Sequence, residues 1–222
     1  MAGAGVPYDF RQTCPAIGGC AENSPPLDRM KWYPVVVWWT GFDWYRPVRA
    51  DQIETMAAYL DCGGRLFLSS QDYLYYHRDE SLTQSYLGVL GYTEDTKPSL
   101  AQGVPGDLIG AGLGPWTLDT PFENLSDAVV PMPATAIPFR DQSLRGIAVA
   151  RRDQGYATAF YAFPFEALPE ETRPTVMKQT VGYLSWLGTS TFSADRASVS
   201  AGSTLTYTTV LHNDGLDPIT AS

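Results

Sequence analysis

Short apolar runs that stop abruptly divide this chain. Pro34-Val-Val-Val-Trp-Trp-Thr40 ends in Gly41-Phe-Asp-Trp44, and Arg65-Leu-Phe-Leu-Ser69 ends in Ser70-Gln-Asp72. That pattern predicts buried parallel strands, each delivering a loop to the carboxyl edge of a sheet. Open α/β folds place their ligands at that edge. Between the two runs, Ile53, Met56, Ala57 and Leu60 recur at helical spacing. Asp51 stands where a cap for the first turn belongs, Glu54 where a capping box closes, and Gly63-Gly64 ends the helix.

The remaining pattern is shorter in range. Val6 to Arg11 reads as an edge strand, followed by a Pro/Gly/Asn-rich loop to about Asp28. Tyr73 to Tyr76 reads as an aromatic loop, and Ser81 opens a short helix through Leu87. The Gly/Pro-rich stretch from Gly88 to Pro133 carries short strands near Trp116–Leu118 and Ala128–Val130. Gly146–Arg151 and Tyr156–Phe163 flank the turn Asp153-Gln-Gly155, which predicts an antiparallel pair. Pro169 to Leu187 has a helical face of Val176, Thr180, Tyr183, Leu184 and Leu187, stopped by Gly188. Strand-like alternation then runs from Ser198 to Gly215, too short for a β-sandwich of about 100 residues. The expected organisation is an α/β unit over residues 1–188 and, over 189–222, a linker with the first strands of a truncated second domain.

Composition narrows the function classes. The chain has 222 residues, is 44% hydrophobic and 13% aromatic, and can bury one substantial core. Its 15 basic and 24 acidic residues give a net charge of -9, which argues against nucleic acid or an anionic membrane as partner. No apolar run approaches the roughly 20 residues of a membrane span, and Met1-Ala-Gly-Ala-Gly-Val6 lacks signal-peptide regions. Two readings follow: a cytosolic protein, or a piece of a longer exported chain. Cys14 and Cys20 could close a small disulfide or remain two free thiols, and Cys62 reads as a buried thiol. With His77 and His212 remote from any cysteine, no zinc site and no metal are expected, and no cofactor.

Tyr33 to Leu187, through Thr40-Gly-Phe-Asp-Trp44, Tyr59-Leu-Asp-Cys-Gly-Gly-Arg-Leu-Phe-Leu-Ser-Ser-Gln-Asp72 and Phe163-Pro-Phe-Glu166, resembles the class I glutamine amidotransferase-like domains of large exported bacterial proteins. The tail from Phe192 to Gly215 resembles the start of Ig-like surface repeats, with its Gly-Ser-Thr-Leu-Thr-Tyr pattern and Asn-Asp-Gly turn. The resemblance implies a flavodoxin-like three-layer α/β sandwich, mostly parallel, in an extracellular modular parent whose Ig-like domains are its neighbours. In such a parent the Cys14–Cys20 disulfide would form. It also implies that a first strand and helix precede Val6, so that unpaired sheet edges would be repaired by strand exchange in a homodimer.

The chemistry departs from that family. Its nucleophile elbow, Gly-x-Cys-x-Gly, is here Leu68-Ser-Ser-Gln-Asp72, and of its His-x-Glu only Glu166 matches. Without the thiolate and its base, ammonia release is not expected. Ser69 or Ser70 with His77 could still act as nucleophile and base, or could serve only as turn caps beside a surface histidine. Asp43, Asp72 and Glu166 each follow a strand and could converge as an acid/base or cation set, or each bond its own loop. The aromatics around Trp44, Tyr73, Tyr75 and Tyr76 could stack on sugar rings while Asp43, Gln71 and Asp72 bind hydroxyls, or could roof the core. Three functions stay open: a non-catalytic structural or ligand-binding module, a hydrolase, and a carbohydrate-binding module taking a glycan or other cell-surface ligand.

Overall fold

The structure, a computed structural model, describes residues 7–13, 24–153, 155–185, 191–196, 203–204 and 206–210. In chain order the elements are α1 (Leu27–Met30), β1 (Val36–Trp39), α2 (Ala50–Asp61), β2 (Arg65–Ser69) and α3 (Tyr73–His77). A π-helical turn, Leu82–Leu87, leads to β3 (Val89–Thr93), β4 (Leu100–Gly103), β5 (Trp116–Thr117), β6 (Ala128–Pro131) and β7 (Phe139–Arg140). Then come β8 (Ala148–Arg152), β9 (Ala157–Tyr161), a 3-10 turn at Phe165–Ala167, α4 (Arg173–Leu184), β10 (Thr191–Ala194) and β11 (Tyr207–Val210). No helix among the described residues is long and apolar enough to cross a membrane.

The central sheet has the order β1-β2-β9-β8, with β1, β2 and β9 parallel and β8 antiparallel on one edge. This is the mostly parallel α/β class that the apolar runs predict. All five residues of β2 are buried, and side-chain alternation sends them to two cores. Leu66 and Leu68 pack with Phe160, Ile53, Met56 and Leu60 on the α2 face. Phe67 packs with Ala159, Tyr161, Val176 and Met177 on the α4 face. Trp38 and Trp39 split as adjacent strand residues must, the first 9% exposed and the second 42%.

The amino end of β2 is fixed by one buried cation. Arg65, 3% exposed, donates through Nη1 to the carbonyls of Gly63 (2.9 Å), Gly64 (3.2 Å) and Gly155 (2.8 Å). Burial lowers its pKa to about 10, with the Tyr59 hydroxyl opposing and Arg152 adding to the shift, so it stays charged at neutral pH. Gly63 itself has φ +84°, where a side chain would be strained and its Cβ would lie 3.3 Å from the Gly155 carbonyl.

Several expectations are corrected. Pro7–Arg11 forms no strand and is exposed; Val6 lies outside the described residues. Helix α2 starts at Ala50 rather than after Asp51, and it is Gln52 Oε1 that accepts the Arg49 amide (2.9 Å). Asp51 pairs instead with the Arg49 guanidinium at 2.9 Å. Tyr73–Tyr76 is helical, not a loop, because Tyr73 and Leu74 are drawn into the core. Helix α4 begins at Arg173, since Pro169 accepts the Thr172 amide and hydroxyl in a preceding turn. Cys62, at the C-cap of α2, is exposed and not buried. The antiparallel β8–β9 pair and the short strands β5 and β6 stand as expected. In the tail, β10 and β11 pair antiparallel; the rest of Ser198–Gly215 and the Cys14–Cys20 pair lie outside the described residues, apart from Ser203, Thr204 and Thr206.

Because Phe67 fills the middle of a strand buried at every position, Phe67→Ala should cost about 3–5 kcal/mol. Cys62→Ala, at an exposed cap, should stay within about 0.5 kcal/mol. Urea unfolding midpoints of the two variants check both values.

Candidate functional site

At the carboxyl edge of β2 three consecutive polar side chains are engaged in holding loops. Ser69 Oγ donates to the Phe163 carbonyl (2.9 Å) and accepts the Phe165 amide (2.8 Å), fastening the turn after β9. Ser70 Oγ accepts the Thr40 hydroxyl (2.8 Å) and donates to the Gln71 carbonyl (3.0 Å). Gln71 spans two loops, donating to the Phe42 carbonyl (2.8 Å) and accepting the Leu125 amide (3.3 Å). All three side chains are 0% exposed. These serines do not cap α3; they tie the ends of adjacent strands together.

Among the described residues no base is bonded to Ser70. His77 is on α3, 8% exposed, and its Nε2 donates to the Val48 carbonyl at 2.8 Å. That bond leaves Nδ1 as the unprotonated nitrogen, buried and without a partner among the described residues, 3.9 Å from Glu80. Burial lowers the His77 pKa, opposed by the Val48 bond and by Glu80. The surface histidine expected from sequence is thus a buried structural one. Tyr73 is also misplaced as a ligand platform: it is fully buried and accepts the Thr83 hydroxyl at 3.1 Å.

The three strand-end carboxylates separate into two groups. Asp72 has φ +55°, a left-handed backbone at the turn between β2 and α3, and is 7% exposed. It neighbours Asp127, a residue that sequence periodicity does not single out, which is 1% exposed. Asp127 Oδ1 accepts the Asp95 amide at 3.0 Å, while Oδ2 is buried without a partner among the described residues. Burial above all raises Asp127 to about 8, opposed by the Asp95 amide bond and helped by the charges of Asp72, Asp95 and Glu94; burial, with Asp95 and Glu94 nearby, raises Asp72 to about 6. Asp127 therefore keeps its proton at neutral pH.

Asp43 and Glu166 meet elsewhere, in a cavity of about 450 Å³ beyond the carboxyl end of β1. Its walls include Trp38, Trp39, Thr40, Tyr45 and Arg46. Asp43 Oδ1 accepts the Tyr45 amide at 3.2 Å and so shapes its own turn. Glu166 sits in the 3-10 turn that Arg173 holds through its bond to the Glu166 carbonyl (2.6 Å). Its Oε2 is buried with no partner among the described residues, and burial raises its pKa. Gly41, at φ +61°, passes under this carboxylate; a Cβ there would lie 3.6 Å from Oε1. Trp44 is 53% exposed against Tyr45, 5.8 Å between ring centroids, and does not line the cavity. Among the described residues no group of three His, Cys, Asp or Glu side chains could hold a metal ion.

No protein-family profile matches the sequence, and no curated protein is significantly similar to it. Solved structures are similar in fold. A cytoplasmic protein from Salmonella typhimurium shares 14% identity at a TM-score of 0.52, over 74% of this chain and 76% of that one. The mmIFT52 N-terminal domain also shares 14%, at a TM-score of 0.50, over 73% and 82%. A Thermoplasma acidophilum protein described as one component of a GMP synthase reaches 10% and 0.49, over 72% and 77%. At these identities the likeness concerns the α/β fold alone.

Asp127 sets a pH dependence. An unfolded aspartate loses its proton near about pH 4, whereas folded Asp127 keeps it to about 8. The folded state therefore binds more protons across that interval, and stability falls as pH rises through it. The melting temperature should decline between about pH 5 and 9, and Asp127→Asn, which can still accept the Asp95 amide, should flatten the decline. Thermal melts of both proteins across this range check it; equal slopes would remove Asp127 from the account.

Proposed function

We propose that this chain is a non-catalytic, amidotransferase-like α/β module that binds a ligand or organises its neighbours within an exported bacterial protein. The observation that carries the proposal is the fate of the nucleophile position: Ser69, Ser70 and Gln71 are sealed from solvent and bonded to strand-end loops. A hydroxyl that holds a fold together and lacks an adjacent base is a poor nucleophile. Extracellular placement and adjoining Ig-like domains rest on the sequence resemblance of the tail, with Tyr207–Val210 in a β pair consistent with it.

A second reading, carbohydrate binding, is favoured by one specific feature. Glu166 Oε2 is a buried acceptor without a donor among the described residues, in a cavity that also offers Trp39, Tyr45 and Asp43. A sugar hydroxyl supplies such a donor while the ring face stacks on an aromatic side chain. The platform is then Trp39 and Tyr45, in place of Trp44 and Tyr73.

Glutaminase and generic esterase assays should give no turnover that differs between the wild type and Ser70→Ala; activity abolished by that substitution would restore the hydrolase. In a glycan panel, at least one sugar should raise the melting temperature, with the shift lost in both Trp39→Ala and Glu166→Gln. A panel without any shift would leave the module without a carbohydrate role.

A further inference from the structure

The cavity at the carboxyl end of β1 has a charge balance opposite to that of the chain. Acidic residues outnumber basic ones by 24 to 15 overall, yet the cavity walls carry Arg11, Arg46 and Arg49 against Asp43 and Glu166. Burial further opposes ionisation of Glu166. A cleft lined in excess by one sign of charge concentrates ligands of the other.

Arg46 is the guanidinium placed to meet such a ligand. Arg49 is engaged by Asp51 in an ion pair at 2.9 Å, and Asp43 is turned to the Tyr45 amide. Among the described residues no carboxylate comes within ion-pair distance of Arg46, whose guanidinium carbon stands 5.8 Å from the centroid of the Tyr45 ring. Its backbone is also uncommon: φ is +49°, whereas a residue before proline, here Pro47, is ordinarily extended. Glycine or asparagine takes a left-handed backbone with less strain. An arginine at this position therefore strains the turn while setting a cation at the mouth of the cavity.

From the same point a line of aromatic rings leads outward. Tyr45 meets Tyr76 edge-on, with centroids 6.3 Å apart, and Tyr76 meets Tyr75 in the same manner at 4.9 Å. The Arg46 charge also acts on the Tyr76 hydroxyl.

Resting on the carbohydrate reading above, we propose that the ligand is an acidic oligosaccharide. Arg46 pairs with a sugar carboxylate, Glu166 accepts a hydroxyl of the unit inside the cavity, and the following units lie along Tyr45, Tyr76 and Tyr75. A planar carboxylate matches the parallel N–H donors of a guanidinium, and the apolar faces of sugar rings suit aromatic side chains. A neutral glycan would leave Arg46 unused. An anion without hydroxyls would leave Glu166 without a donor.

Calorimetric titration with trimers of glucuronate, galacturonate and mannuronate, each beside the neutral trimer of the parent hexose, tests this. At least one uronate trimer should bind about tenfold more tightly than its neutral counterpart, and that preference should shrink as sodium chloride is raised. Arg46→Gly, which suits the left-handed backbone, and Arg46→Gln should each keep the wild-type circular dichroism spectrum and bind the acidic and neutral trimers alike. Equal binding of both kinds of trimer by the wild type would overturn the acidic ligand and leave the carbohydrate reading standing; no binding of any trimer would overturn both. A preference that persists in both Arg46 variants would place the carboxylate elsewhere and overturn the assignment equally.

Discussion

Everything in this molecule is arranged around a strand that touches no water. β2 is buried over its whole length, so each of its faces must be covered and each of its edges paired. The first demand brings α2 and α4 to opposite sides; the second brings β1 and β9 alongside in the parallel sense, which requires crossover connections rather than tight turns. The three-layer architecture is the solution to those demands. It also decides where function can sit, because parallel strands deliver all their following loops to a single edge.

At that edge the polar residues have been given to structure. Ser69 bridges the end of β9 to the next turn, Ser70 bridges β1 to β2, and Gln71 bridges the loops at Phe42 and Leu125. A catalytic residue has to remain underused in the resting protein so that a substrate can use it. Here that condition is met at Glu166 in the β1 cavity and at Asp127 beside Asp72, where buried acceptor oxygens remain open. The first adjoins space for a ligand. The second is enclosed within the scaffold.

The scaffold was readable where burial is continuous and periodicity long. The runs at Val36–Trp39 and Arg65–Ser69, the helix under Ile53 to Leu60 and the hairpin around Gly155 all declare themselves through spacing. Less readable were features decided by tertiary contact. Tyr73–His77 is too short for a helical period to show, and it is helical because its aromatic residues meet the π-turn and Phe160. Gln52 outcompetes Asp51 as the capping partner through geometry that no pattern encodes. At the site, sequence located Asp43 and Glu166 but grouped Asp72 with them, since a strand-end position says nothing of which way a loop turns. Asp127 had no sequence signal beyond an acid ahead of an apolar strand, and the Asp95 amide it accepts comes from 32 residues away in the chain.

Arg65 gives the fold a further property. One guanidinium gathers three carbonyls from two separate turns at the end of the sheet farthest from the ligand edge. Strand register is thereby set from the amino side, independently of the loops on the carboxyl side. Such a division lets the loops on the carboxyl side change in length and side chain while the strands beneath them keep their register, so the two ends of the sheet answer to separate constraints.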